Sequence, residues 1–266
     1  MAIITQTQGT LEYLIAEGIG ARHGFTTRLG GVSGGSLASL NISFHRGDAD
    51  ENVEKNYRIL ASALDFAIEN VVMTHQVHSD VIRTVTRADA LGLDHHRYPE
   101  CDALITADPG TTLVVFTADC TPILLWDEKT GAVGAIHAGW RGTAANIAAK
   151  TVKAMCREFG CFAQNIRAAI GPNIGPCCFQ TDEEVPQVLI AAFGSEAAAF
   201  IRSKGDKFYP DLKKINAMAL ARAGVTQIDI SADCTMCQPG RFWSHRVHGP
   251  CRGSQGAIII CGEGRH

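Results

Sequence analysis

The stretch FTADCTPILLWDEKTGAVGAIHAGWRGT, residues 116–143, constrains the fold more than any other part of the chain. Two short apolar runs, 122–127 and 132–138, flank the turn-forming residues Glu128, Lys129, Thr130 and Gly131. Such a pattern predicts an antiparallel hairpin, which has no place in an all-parallel doubly wound sheet. A turn centred on Glu128 and Lys129 sets Cys120 across from His137, to within one residue of register. Directly opposed side chains have Cβ atoms roughly 4.5–5.5 Å apart. That distance suits a thiolate–imidazole pair or two ligands of one metal.

Elsewhere strands and helices are interleaved. Residues 50–64 read as a helix, with Val53, Tyr57, Leu60 and Leu64 near helical spacing. Strands are expected at 70–78 and 81–86, with a looser region over 88–100. After the hairpin a helix over 143–159 ends at Gly160, its apolar stripe being Ala148, Val152, Met155, Cys156 and Phe159. A strand at 166–170 enters GPNIGPCCF, and Thr181 with Glu184 has the form of a capping box, although Pro186 falls early in that helix. A helix over 211–223, stopped by Gly224, precedes strands at 226–231, 241–245 and 256–261. No internal repeat, low-complexity tract or linker interrupts the 266 residues. One domain over 1–266 with an α+β fold of mixed sheets is therefore expected.

Composition removes several function classes. The net charge is -3 and no basic run occurs, so nothing favours nucleic acid. The first residues lack a signal-peptide pattern, and no apolar run approaches the ~18 residues of a membrane span. A cytoplasmic protein is expected, with most of its ten cysteines reduced. Cys101, Cys156, Cys161 and Cys261 read as small buried hydrophobes. There is no G-x-G-x-x-G after a strand and no Walker motif.

A third ligand would turn Cys120 and His137 into a metal site. VVMTHQVHSD offers His75 and His78, three apart and so on opposite faces of a strand. His78, at the strand end, is the one expected to join. Two histidines and a cysteine leave one tetrahedral zinc position open to water, the pattern of a catalytic site. A satisfied core histidine remains the competing reading of His137. In HAGWRGT, glycines border Trp140 and Arg141 just before a helix, which suits an anion or an ordinary tight turn. Asp119 turns to the other face from Cys120, as an acid, a base or a carboxylate bonded to backbone. Cys177-Cys178 and Cys234-x-x-Cys237 form further groups. His245 and His248 could complete the second on paper, but a C-x-x-C alone is weak support for structural zinc.

The motifs HGFTTRLGGVSGGSLASLNISFHRGD, FTADCTPILLWD, AIHAGWRGT and AAIGPNIGPCCF, in this order within a resemblance that runs from about His23 to Ile260, resemble the YfiH-like proteins. Older usage calls these polyphenol oxidoreductase laccases, and newer usage purine nucleoside phosphorylases. The resemblance implies the β-rich sandwich flanked by helices shared with cytotoxic-necrotizing-factor deamidases. It implies zinc held by the histidine of QVH, the cysteine of ADC and the histidine of HAGWRG, here His78, Cys120 and His137. It also implies phosphorolysis of adenosine, guanosine, inosine and methylthioadenosine, and deamination of adenosine. Purine nucleosides and phosphate are then the partners. Arg141 is the candidate for phosphate, and Asn41, in its glycine-bordered loop, for ribose or base. The family's paired arginines are broken here, with Arg246 kept and Val247 in the second place.

Two other enzymes fit the same residues. A copper-dependent polyphenol oxidase could use copper at His78, Cys120 and His137, although no H-x-H pair of the multicopper type occurs. A metal-free cysteine hydrolase would use Cys120 as nucleophile and His137 as base. A binding module with a purely structural metal is a third reading, and three ligands open to water speak against it.

Overall fold

A computed structural model of the chain describes residues 2–94 and 97–262. It opens with β1 (Ile3–Gln8), β2 (Leu11–Ala16) and β3 (His23–Thr26), crosses the glycine-rich segment and enters α1 (Asp50–Leu64). Next come β4 (Val71–Met73), β5 (Ile82–Thr84), β6 (Ala103–Thr106), β7 (Thr112–Thr117), β8 (Thr121–Asp127) and β9 (Val133–Ala138). After these lie α2 (Trp140–Ala144), α3 (Ile147–Phe159), β10 (Ile166–Ile170), α4 (Glu184–Phe193) and α5 (Ser195–Ala198). The last elements are β11 (Ile201–Lys204), β12 (Lys207–Pro210), α6 (Leu212–Arg222), β13 (Gln227–Ile230), α7 (His245–His248) and β14 (Gln255–Ile260).

Two six-stranded mixed sheets, in the orders β1-β2-β3-β14-β7-β4 and β13-β10-β8-β9-β6-β5, make the sandwich of an α+β fold. Side-chain alternation along the second sheet divides its residues between two cores. Leu104, Leu124, Val133 and Ala135 join the core of the first sheet, whereas Ala103, Ile105, Ile123, Leu125 and Ile136 pack with α3 and α6. The α1 residues Val53, Tyr57, Leu60 and Leu64 enter the first core, each contributing roughly 1.5–3 kcal/mol. Parity therefore turns His137, like Val133 and Ala135, toward the first sheet. Among the described residues no helix is long and apolar enough to cross a membrane.

Several local expectations are corrected. The hairpin forms, but its turn is centred one residue later than expected. Asp127 N–H donates to the Ala132 carbonyl, and the Asp127 carboxylate accepts from the N–H groups of Lys129 and Thr130. Pro122, not Cys120, pairs with His137. Cys120 remains on the same face, two residues along.

The strand expected at 70–78 ends at Met73 and that at 81–86 covers only Ile82–Thr84. Of the loose region, His95 and His96 lie outside the described residues. The helix over 143–159 starts earlier and is interrupted at Asn146, which adopts φ 62° between α2 and α3. No capping box forms at Thr181, whose backbone instead pairs with Phe208. The helix α4 starts at Glu184, so Pro186 falls in its first turn, where no intrahelical N–H is needed. No strand forms at 241–245. Trp243 is buried there by bonds from its N–H to the Gln255 side chain (2.6 Å) and from its indole to the Leu40 carbonyl (2.9 Å).

Candidate active site

The β6–β9 register pairs Ala103 with Ile136, so one residue further Asp102 stands opposite His137. The His137 N–H donates to the Asp102 carbonyl (2.8 Å), and its ring Nδ1 lies 2.7 Å from Asp102 Oδ1. Both side chains are buried. A carboxylate on Nδ1 fixes the ring and leaves Nε2 for a ligand.

The same carboxylate shapes the loop that delivers His78. It accepts N–H bonds from Val77 (3.3 Å), His78 (3.1 Å) and Ser79 (2.7 Å), and one from the Ser79 hydroxyl (2.7 Å). His78 adopts φ 60°, a left-handed conformation rare for a residue with a side chain. Strand alternation therefore does not separate His75 from His78. His75 lines the neighbouring cleft but stands outside the ligand cluster.

Cys120 follows Asp119, another left-handed residue (φ 88°), at the entry to β8. Its Sγ lies 3.8 Å from His78 Nε2, and the His78 and His137 rings meet edge-on with centroids 4.9 Å apart. The three ligand atoms lie within 4.8 Å of one another. A tetrahedral zinc with Zn–S of about 2.3 Å and Zn–N of about 2.0 Å would separate sulfur and nitrogen by about 3.5 Å. The trio is thus close to the spacing that one ion needs. Gly139 completes the floor, since a Cβ there would meet His78 Cδ2 at 2.8 Å and Cys120 Sγ at 3.3 Å.

The electrostatics are strongly perturbed. Although burial opposes both charges, Cys120 is drawn down to about 6 by His137 and His78, and His137 is raised to about 9 by Cys120 and Asp102. Asp102, buried but bonded to His137 and Ser79, is held down at about 2. Between about pH 6 and about pH 9 the metal-free pair is a thiolate facing an imidazolium. The two titrate as a coupled unit.

Above the trio lies a cleft of about 470 Å³. Phe44, Met73, Tyr98 and Phe116 give it apolar and aromatic walls, and Arg46 and Arg252 add two guanidinium groups. Burial lowers Arg46, and its Nε is enclosed without a hydrogen-bond partner. Arg252 is pushed down to about 10, first by burial and then by Arg46. Two half-buried guanidinium groups lining one cleft, one of them lowering the other, suit an anion.

Two expected substrate residues stand elsewhere. Asn41 is fully buried, donating to the Ser43 carbonyl and Asp48 carboxylate and accepting from the N–H groups of Ser43 and Ser254. Its hydrogen-bonding capacity is consumed in holding the loop. Arg141 is exposed, lies over its neighbour Trp140 at 4.2 Å, and does not line the cleft. The five-residue α2 cannot organise the anion site expected at its start. Asp119 is backbone- and hydroxyl-bonded, accepting from Thr235 Oγ1 (2.6 Å) and Arg246 N–H (2.7 Å).

Sequence reasoning missed Asp102, Arg46 and Arg252. Asp102 carries one faint signal, a carboxylate immediately before the buried strand ALIT. The arginines carry none, because distant loops bring them together.

Comparison with known proteins agrees with this architecture. Residues 22–262 match the family model described as Multi-copper polyphenol oxidoreductase laccase. The chain is 38% identical over 247 residues to the Geobacillus stearothermophilus protein named Purine nucleoside phosphorylase YlmD, covering 90% of this chain and 89% of that one. It is 35% identical over 224 residues to Purine nucleoside phosphorylase YfiH of Escherichia coli, covering 83% and 86%. The crystal structure of YlmD from Geobacillus stearothermophilus superposes with a TM-score of 0.92 at 36% identity, covering 98% of this chain and all of that one.

Proposed function

The chain belongs to the multi-copper polyphenol oxidoreductase laccase family that includes YfiH and YlmD, and from that premise we propose that it is a zinc-dependent purine nucleoside phosphorylase. One observation carries the reading: Arg46 and Arg252 share a cleft with the His78, Cys120 and His137 trio. A volume of about 470 Å³ accommodates a nucleoside together with phosphate.

His78, Cys120 and His137 would hold the zinc. When bound, zinc would supply Lewis acidity with one coordination position open to the cleft. Phe44 and Phe116 offer apolar faces for the purine ring. Arg46 and Arg252 hold phosphate and relieve their mutual repulsion by doing so. A phosphate oxygen then bonds to the anomeric carbon of the ribose as the bond to purine N9 breaks. The electron pair leaves with the base, which takes up a proton. Inosine and phosphate thereby become hypoxanthine and ribose 1-phosphate.

Incubating the protein with inosine and phosphate tests the reading. Ribose 1-phosphate should accumulate in step with hypoxanthine, and both should require phosphate. Base release independent of phosphate would overturn it. Deamination of adenosine to inosine belongs to the same proposal and should need the metal but no phosphate.

The lowered Cys120 beside His137 also favours a second reading, a metal-free cysteine hydrolase. Chelation separates the two. Activity that disappears on metal removal and returns with zinc supports the phosphorylase, whereas full activity in stripped protein with an alkylatable Cys120 supports the hydrolase. Return of phenol oxidation with copper, without nucleoside turnover, would instead support the oxidase.

A further inference from the structure

Four cysteines outside the cleft converge on one point. The loop after β10 carries Cys177 and Cys178, and the loop after β13 carries Cys234 and Cys237. Because β10 and β13 are parallel neighbours, both loops leave the same end of the sheet. A bridge between Asn173 and Cys234 continues that pairing, with the Thr235 N–H on the Asn173 carbonyl. The turn at 175–179 is closed by the N–H groups of Cys178 and Phe179 on the Gly175 carbonyl, and it curls both sulfurs toward the second loop.

We propose that Cys177, Cys178, Cys234 and Cys237 form a second metal site, a tetrathiolate zinc centre that ties these two loops together and thereby positions Cys120. All four Sγ atoms lie within 4.8 Å of one another. The Cys237 sulfur stands 3.5 Å from that of Cys177 and 3.4 Å from that of Cys178. These distances are far beyond a disulfide bond of about 2.05 Å. They approach the separation of about 3.8 Å between sulfurs of a tetrahedral zinc thiolate.

The surroundings suit an anionic metal–sulfur group. The Gly175 N–H donates to Cys234 Sγ at 3.2 Å. A Cβ on Gly175 would press on Cys177 Sγ at 3.2 Å and on Cys234 Cβ at 3.3 Å, so glycine lets the loops close. The buried ammonium of Lys213, bonded to the carbonyls of Ser231 and Asp233, lies within electrostatic reach of Cys234 and Cys177. Four thiolates with one zinc carry two negative charges, which this lysine partly offsets. Closed four-ligand coordination is the structural type, unlike the three-ligand trio of the cleft.

The link to the cleft runs through Asp119. Its carbonyl accepts from the Ile174 N–H (3.0 Å), in the first cysteine loop. Its carboxylate accepts from Thr235 Oγ1 (2.6 Å), between the two cysteines of the second. Asp119 immediately precedes Cys120, so anchoring both loops fixes where that thiol enters the trio.

The test counts zinc in the full chain purified under reducing conditions without added metal. A His78→Ala/His137→Ala double variant should keep one zinc per chain, and the unaltered protein should hold two. Adding Cys237→Ser to the double variant should remove the last one. Cys237→Ser alone should weaken zinc binding at the cleft, read by competition with a chelator. One zinc in both the unaltered protein and the double variant would sink the cleft metal and leave this site standing. No zinc in the double variant, or iron in place of zinc, would overturn the proposal.

Alkylation of the unaltered protein gives an independent readout that needs no variant to fold. Cys177, Cys237 and Cys251 are all exposed. Cys251 should react at once, and Cys177 and Cys237 only after a strong chelator is added. Equal rates at all three without chelator would also overturn it.

Discussion

Replacing Asp102 by asparagine keeps the shape of the side chain and removes its charge. The carboxylate receives His137 Nδ1 and the His78 N–H on Oδ1, and the Val77 N–H, Ser79 N–H and Ser79 hydroxyl on Oδ2. An amide must place its NH2 on one of these two sides. Placed toward Oδ2, it confronts two backbone donors. Placed toward Oδ1, it confronts the His78 N–H and drives the His137 proton onto Nε2, the atom required for the metal. Either way a buried donor loses its acceptor, at a cost of about 1–3 kcal/mol. Loss of a carboxylate behind a ligating histidine typically weakens metal binding about 10–100-fold. Zinc affinity of Asp102→Asn, measured by chelator competition, should fall within that range. Thermal unfolding in excess chelator should show the separate folding cost, about 2–4 °C for each kcal/mol in a chain of this size. Unchanged zinc affinity in a folded variant would refute the account of Asp102 as the residue that holds both histidines.

Other outcomes follow from the same geometry. Arg252→Ala should raise the phosphate KM by at least about tenfold, the effect of losing one charge-assisted contact, and should leave zinc content intact. A phosphate KM equal to that of the unaltered protein would return attention to Arg141. Gly139→Ala should expel the metal, because the new methyl group would press on His78 and Cys120. Metal content equal to the unaltered protein would show that the loop yields. In chelator-stripped protein, Cys120 alkylation should stay fast above about pH 6 and fall as the thiolate protonates below it. His137→Ala removes the partner that lowers the thiol, so its profile should move to higher pH. A profile that stays in place would break the ion-pair assignment.

The legible parts of the fold are those whose signal is local. Val53, Tyr57, Leu60 and Leu64 mark α1 over its full length because one periodic face seeks one core. The hairpin is equally plain, yet Asp127 moves its turn by one residue through side-chain bonds that strand periodicity does not express. His78, Cys120 and His137 are brought together, but not by the alternation that nominated His78. It sits in a left-handed loop shaped by Asp102, which is 24 residues away in sequence. Asn41 looked available because glycines border it, whereas its partners include Ser254, 213 residues distant. Pairing of Cys177 and Cys178 with Cys234 and Cys237 was equally hidden, since only the parallel β10–β13 register brings their loops together.

The Gln76 side chain lies beside β7, where its amide donates to the Phe116 carbonyl (2.8 Å) and accepts from the Phe116 N–H (2.6 Å). One side chain thus occupies the place of a peptide unit at the point where β4 has already left the sheet. Without it, the rim of the cleft would present an unsatisfied ladder rung, the kind of surface to which a stray strand from another molecule adds itself. The residue that lines the cleft wall thus also closes a sheet edge. Glutamate at this position could still accept from the N–H but could not donate to the carbonyl, leaving half of that rung open to strangers.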